Sequence, residues 1–337
     1  MNLPEQRIER RQQELFDSPQ RGPNQSDHRV ALFSFFSLRC SDPDRRPIIY
    51  NDGVHSIEVR PSQAGLATMD DKELLIYFGT LLAEKLERGE SPTQKIRCTV
   101  HDFCRMTGRT PGGSAYDRFE AALERLQGTQ VRTNIEVRDL DSEGESDGET
   151  EYWTWLKKVK ISYRRDRDGK RIMKAVEVEI CDWLHRAILN DRQMLTFAPS
   201  YFNLSPTLRR VYEVANALCA RYGGEDASGN AMPMEDLRQL LGVDDKDIRR
   251  LRTRLEKIAA GETPIPDFKV VFIPRPLAAG RKRRKSTEWL VGFEYQKGSS
   301  RRTDHARLDL GSSSAFDGLA QRAQPASTTD KGRARAA

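Results

Sequence analysis

Lys246, Arg249, Arg250, Thr253 and Lys257 recur at helical spacing opposite an apolar stripe of Ile248, Leu251, Leu255 and Ile258. On such a face arginine and lysine can pair with guanine edges or phosphates, and threonine can meet a thymine methyl. A basic helix face also suits plain solvation, so its place in the chain decides. It follows Gly242, the turn glycine of a helix-turn-helix pattern, and the helix in that position is the one that enters the major groove of duplex DNA. Five consecutive bases, Arg281, Lys282, Arg283, Arg284 and Lys285, fall at the expected tip of a hairpin. There a wing would lie along phosphates or dip into the minor groove, and a bare basic loop is the alternative. Residues 231–300 hold 15 Lys plus Arg against 10 Asp plus Glu, so most of the basic excess of the chain lies here. Earlier, Ser114, Arg118 and Arg125 oppose a stripe of Tyr116, Phe119, Leu123 and Leu126, with Asp117 and Glu124 diluting the field. That helix either touches DNA more weakly or packs against another copy of the chain.

No catalytic constellation accompanies these groups. GRTPGGS (residues 108–114) lacks the lysine of a phosphate-binding P-loop. The five histidines, His28, His55, His101, His185 and His305, contain no paired metal-ligand spacing. No metal, no cofactor and no enzyme activity is expected. Trp153, Trp155 and Trp183 lie beside apolar positions and read as core rather than as base-stacking platforms. Cys40, Cys98, Cys104, Cys181 and Cys219 include no C-x-x-C pair and read as free thiols in a reducing cytoplasm. An enzymatic competitor, a nicking protein using Tyr163 or Tyr201 as nucleophile, lacks the histidine ligands for its metal.

The elements that must position these groups form two copies of one order. In the first, a helix opening near Asp70 with Glu73 as its capping partner runs to about Arg88. A short strand over residues 94–99 precedes a brief helix capped by Thr99 with Asp102 and closed by Gly108. Ser114 with Asp117 then caps the third helix, which ends at Gly128. Strands over 130–137, 152–163 and 171–180 follow, interrupted by the acidic stretch 139–151 and an Asp168-Gly169 turn. In the second copy, Ser205-Pro206 opens a long helix to Gly223-Gly224, Pro233 starts a short one closed by Gly242, and the basic helix precedes strands over 268–273 and 288–295.

Helix, short helix, turn, third helix and hairpin is the order of a winged helix-turn-helix. The expected fold class is therefore α+β, with two tandem winged helix-turn-helix domains at 30–188 and 189–298. Polar, proline-broken residues 1–29 and the Ser, Thr, Ala and Arg-rich 299–337 are expected to be disordered tails. The chain has 337 residues and a formal charge of +6 from 56 basic and 50 acidic groups; with 31% charged and 37% apolar residues it argues against a large hydrophobic barrel. VALFSFFSL (30–38), its longest apolar run, is far too short to span a membrane, and the first residues lack a secretion signal. Bacterial cytoplasm is the expected location.

Three segments carry a family resemblance: FSFFSLRCSDPDRRPI (33–48, preceded by VAL), TVHDFCRMTGRTPGGSAYDRFEAALERLQGT (99–129) and QMLTFAPSYFNLSPTLRRVYEVANALC (193–219). In this order they resemble the plasmid replication initiator protein A family over roughly residues 30–298. The resemblance implies a non-enzymatic initiator that binds double-stranded DNA at origin repeats (iterons), helps to open the duplex and recruits host initiation proteins and helicase. It further implies a homodimer joined through the first domain that represses the initiator's own promoter. A winged-helix transcriptional repressor without an initiator role is the alternative, separable by whether the preferred DNA is a direct-repeat array or a lone palindrome.

Overall fold

The computed structural model describes residues 24–40, 45–137, 149–165, 168–169, 171–275 and 288–299. Its centre is two long helices, α2 (Lys72–Glu87) and, later in the chain, Pro206–Tyr222. Every residue of α2 from Lys72 to Glu84 is buried, so this helix has no solvent face in its first three turns. Preceding it are β1 (Asn24–Asp27), α1 (His28–Leu32), β2 (Ile48–Asn51) and β3 (Ser56–Arg60). After it come β4 (Lys95–Cys98), α3 (Val100–Met106), α4 (Gly113–Gly128), β5 (Gln130–Thr133), β6 (Glu151–Thr154), β7 (Leu156–Arg165) and β8 (Arg171–Ile180).

Local chemistry sets several of these boundaries. Thr99 Oγ accepts from the backbone N–H of Asp102 at 3.1 Å and donates to its carboxylate at 2.8 Å, which opens α3. Gly108 then turns the chain at φ +69°, a left-handed conformation that favours glycine. The start of α2 differs from expectation: Asp71 and Thr68 exchange hydrogen bonds (2.8 and 3.3 Å), while Asp70 and Glu73 bind Arg209 instead. Nor is Ser114 a cap, because α4 begins at Gly113 after Gly112, and Ser114 sits exposed in its first turn.

The second half comprises α5 (Asp182–Arg186), β9 (Met194–Phe197), α6 (Pro206–Tyr222), β10 (Met232–Pro233), α7 (Met234–Leu241), α8 (Ile248–Ala259), β11 (Phe268–Arg275) and β12 (Glu288–Tyr295). Its three-stranded sheet has the order β10-β12-β11, and the first half has β4-β8-β7, all antiparallel. Each sheet places the strand between the first and second helices beside the returning strand of the terminal hairpin.

Two further sheets depart from the sequence expectation. The run 152–163 is not one strand: it bends at the fully buried Trp155, sending β6 into a four-stranded sheet β2-β3-β5-β6 while β7 joins β8. Trp153 stacks on Trp183 with ring centroids 5.0 Å apart, and Phe35 meets Trp155 edge-on at 5.6 Å, so the indoles form a core cluster. Residues 24–29, expected within a disordered arm, are ordered and largely buried: β1 pairs antiparallel with β9, and α1 lies against α6. Asp27 neutralises Arg29 at 3.1 Å, and His28 Nε2 meets Ala217 O at 3.0 Å, so each of these side chains has a partner inside. The tail expectations for 1–23 and 300–337, and most of the acidic stretch, lie outside the described residues; Glu151 from that stretch belongs to β6 and accepts from Arg186 at 2.8 Å.

Candidate nucleic-acid interface

The α8 stripe folds as its spacing requires: Leu251, Leu255 and Ile258 are buried, and Arg249, Arg250, Thr253 and Lys257 are exposed on the outer side. Lys246 is exposed too, but in the 3-10 turn Asp245–Asp247 ahead of the helix. Thr253 donates its hydroxyl to Arg249 O at 3.2 Å, which leaves its methyl as the part available to a partner. Arg250 pairs with Asp247 at 3.2 Å but is 88% exposed, and an ion pair so open to water is weak. Arg254, exposed, and Arg252, paired with Glu256 at 2.8 Å, belong to the same outer surface and were missed because they fall on its flanks.

The turn that aims α8 is held from both halves of the chain. Gly242 closes α7 at φ +69°, and a Cβ there would lie 2.0 Å from Ser34 Oγ, so the turn packs directly on the segment after α1. Beneath it, the buried Arg210 donates to Leu240 O (2.5 Å), Ala31 O (2.5 Å) and Leu32 O (2.6 Å). Its guanidinium also meets Glu213 at 3.1 Å, and Glu213 in turn takes Lys72 Nζ at 2.8 Å and the Tyr201 hydroxyl at 2.6 Å. Burial pulls Lys72 down to about 8, against the opposing carboxylate of Glu213, and pushes the Tyr201 phenol well above its usual range. Tyr201 is thus a core group with its hydroxyl committed to Glu213, out of reach of a DNA strand. Tyr163, the other tyrosine considered as a nucleophile, gives its hydroxyl to Glu120 at 2.9 Å and so ties β7 to α4.

On α4, Ser114 and Arg118 are exposed, as expected of an outer face. Arg125 is not part of it. Its guanidinium makes a two-pronged contact with Asp71 (2.7 and 2.7 Å) with only 17% of the side chain exposed, fastening α4 to the start of α2. The β7–β8 hairpin presents Lys158, Lys160, Arg164 and Arg165 to solvent. Arg281, Lys282, Arg283, Arg284 and Lys285 lie outside the described residues, between the ends of β11 and β12. Among the described residues no His, Cys, Asp and Glu grouping could hold a metal, and no helix is long and apolar enough to cross a membrane.

Comparison with known proteins places this arrangement among relatives. The family model described as Replication initiator protein A matches residues 25–270. A "Putative replication protein" of Wigglesworthia glossinidia brevipalpis is 31% identical over 186 residues, covering 55% of this chain and 64% of that protein, slightly under two thirds of its length. Among solved structures, domains 2 and 3 of RctB superpose with a TM-score of 0.51 at 14% identity, covering 79% of this chain and 96% of theirs. The Pi initiator protein in complex with iteron DNA gives a TM-score of 0.43 at 14% identity, over 74% of this chain and 100% of its own.

Proposed function

Because the chain belongs to the replication initiator protein A family, we propose that it is a non-enzymatic initiator that binds double-stranded DNA at repeated origin sites through two winged helix-turn-helix modules. The observation that carries this reading is the repeated topology: β4-β8-β7 after α2, α3 and α4, and β10-β12-β11 after α6, α7 and α8. In that frame α8 is the reading helix of the second module, with Arg249, Thr253 and Lys257 at base edges and Lys246 and Arg250 at its margins. Ser114 and Arg118 on α4, with the β7–β8 hairpin, meet the same duplex as positioning contacts. Arg281 to Lys285 serve as the second wing on the backbone. Two modules on one chain raise affinity through effective concentration.

Origin opening, recruitment of host initiation proteins and helicase, dimerisation through the first module and repression of its own promoter complete the proposal. Selection of random duplex DNA by the purified chain at about 0.15 M salt, followed by footprinting beside its own gene, tests it. Enrichment of one site present there as several direct repeats is the expected result. A lone palindrome favours the transcriptional repressor, and no enrichment removes the DNA-reading role of α8.

A further inference from the structure

A cleft of 780 Å³ separates residues 36–39 and 46–51 of the first half from the α7–α8 end of the second. Arg39 and Arg46 line one wall, and Arg250 and Arg254 line the other, with Asp244 and Asp247 as the acids between them. Arg238, also in the lining, is committed to Val243 O at 2.6 Å and Glu235 at 2.5 Å. The ion pair that crosses the cleft is open to water. Arg46 lies 3.7 Å from Asp244 with 64% and 46% of the two side chains exposed, and Arg39 and Arg254 make no ion pair among the described residues. An ion pair so open to water is worth no more than about 1 kcal/mol, and a guanidinium fork matches a phosphate as well as a carboxylate.

The position of the cleft says what fits it. Arg250 and Arg254 are one turn apart on the flank of α8 beside Arg249, Thr253 and Lys257. A helix lying in the major groove has a sugar-phosphate strand along each flank. The opposite flank carries one base and one acid, Arg252 and Glu256, whereas the cleft flank carries Arg250 and Arg254 against Asp247, so the cleft side of α8 has the larger positive charge. We propose that this cleft seats one phosphodiester strand of the duplex read by α8, gripped across from Arg250 and Arg254 by Arg39 and Arg46 of the other half. This rests on the reading of α8 as the major-groove helix. It makes the segment around Arg39 and Arg46 a DNA contact of the first half that is separate from α4 and from either hairpin, and it holds both halves on the same strand.

The test uses the full chain, the duplex enriched by selection and a scrambled duplex of equal length, with dissociation constants measured from 50 to 200 mM salt. Arg39→Ala/Arg46→Ala should weaken both duplexes alike, keep the preference between them and reduce the salt slope by about 1.8, since each phosphate contact contributes about 0.9. Arg39→Lys/Arg46→Lys, which keeps the charge, should restore the slope. Both arginines are exposed, so a thermal melt should match that of the parent chain. A slope equal to the parent's overturns the cleft. If Arg249→Ala and Thr253→Ala leave base preference untouched, the reading of α8 fails separately, whatever the slope shows.

Discussion

Lys72 Nζ lies 2.8 Å from Glu213 Oε2, both side chains within 1% of full burial, and this contact joins the first residue of α2 to the middle of α6. Two charges taken from water must be compensated, and here Arg210, Tyr201 and the Val30 carbonyl complete the shell. Lys72→Met should cost about 3–5 kcal/mol in denaturant unfolding, because it leaves the carboxylate under-compensated. Lys72→Met/Glu213→Gln should cost less than the sum of the two single changes. Strict additivity would show that the two groups do not share a free energy.

Arg249→Ala should lose about 1–3 kcal/mol on the selected duplex if its fork is bidentate on a base. Competition titrations with the scrambled duplex should show a much smaller loss. An equal loss on both would mean that Arg249 touches only phosphate.

Arg125→Ala separates a structural arginine from a reading one. Its two contacts with Asp71 predict a stability loss of about 1–3 kcal/mol, as for hydrogen bonds to charged groups, with Asp71 left partly unsatisfied. Below the new melting point, DNA preference should be unchanged; a relaxed preference in a fully folded sample would return Arg125 to the interface.

Gly242→Ala combines a left-handed backbone with the collision against Ser34, and should destabilise by about 2–4 kcal/mol. Adding Ser34→Gly opens the space and should recover the steric part, leaving about 1 kcal/mol for the backbone. Thermal unfolding of the single and double variants reads both parts. No recovery in the double variant would show that the two sites do not press on one another.

His28 is fully buried beside Ala217 O, and burial pulls its imidazole from 6.5 down to about 4. The unfolded chain therefore binds more protons than the folded one between these values, so this group's contribution to stability is intact above pH 6.5 and is lost as pH falls toward 4. Relative to His28→Gln, which can still donate to Ala217 O, the parent chain should lose about 2 kcal/mol between pH 7 and pH 5. Parallel pH profiles for the two chains would show that His28 titrates normally.

Features that act within one turn of chain are legible in the residues alone. Thr99 with Asp102, Gly108, Gly223 and Gly242 mark helix ends because their hydrogen bonds or left-handed angles are local, and the α8 stripe is legible because one helix decides it. Ser114 looks equally like a cap, but two glycines before it let the helix start earlier. Arg125 turns inward for an aspartate 54 positions away, and Arg46 meets Asp244 from the other half of the chain, so neither partner is visible in local spacing. Polarity misleads at 24–29 for the same reason: Asp27, His28 and Arg29 pair with one another or with distant carbonyls, and such partners lie outside local spacing. The bend at Trp155 escapes a local reading because β6 and β7 follow one another without a turn residue; what divides them is which distant strand each one meets.

The pairing of β1 with β9 also sets a timetable. During synthesis β1 emerges first, and its partner strand follows roughly 170 residues later, with α6 later still. At about 5–20 residues per second that is a wait on the order of 10–30 s, in which the apolar segment 30–36 has no helix α6 to cover it. Closure of so long a loop is a late and slow event in folding, and until it occurs the turn at Gly242 lacks the surface on which it rests. A chain caught before that moment has α7 and α8 built but not yet aimed.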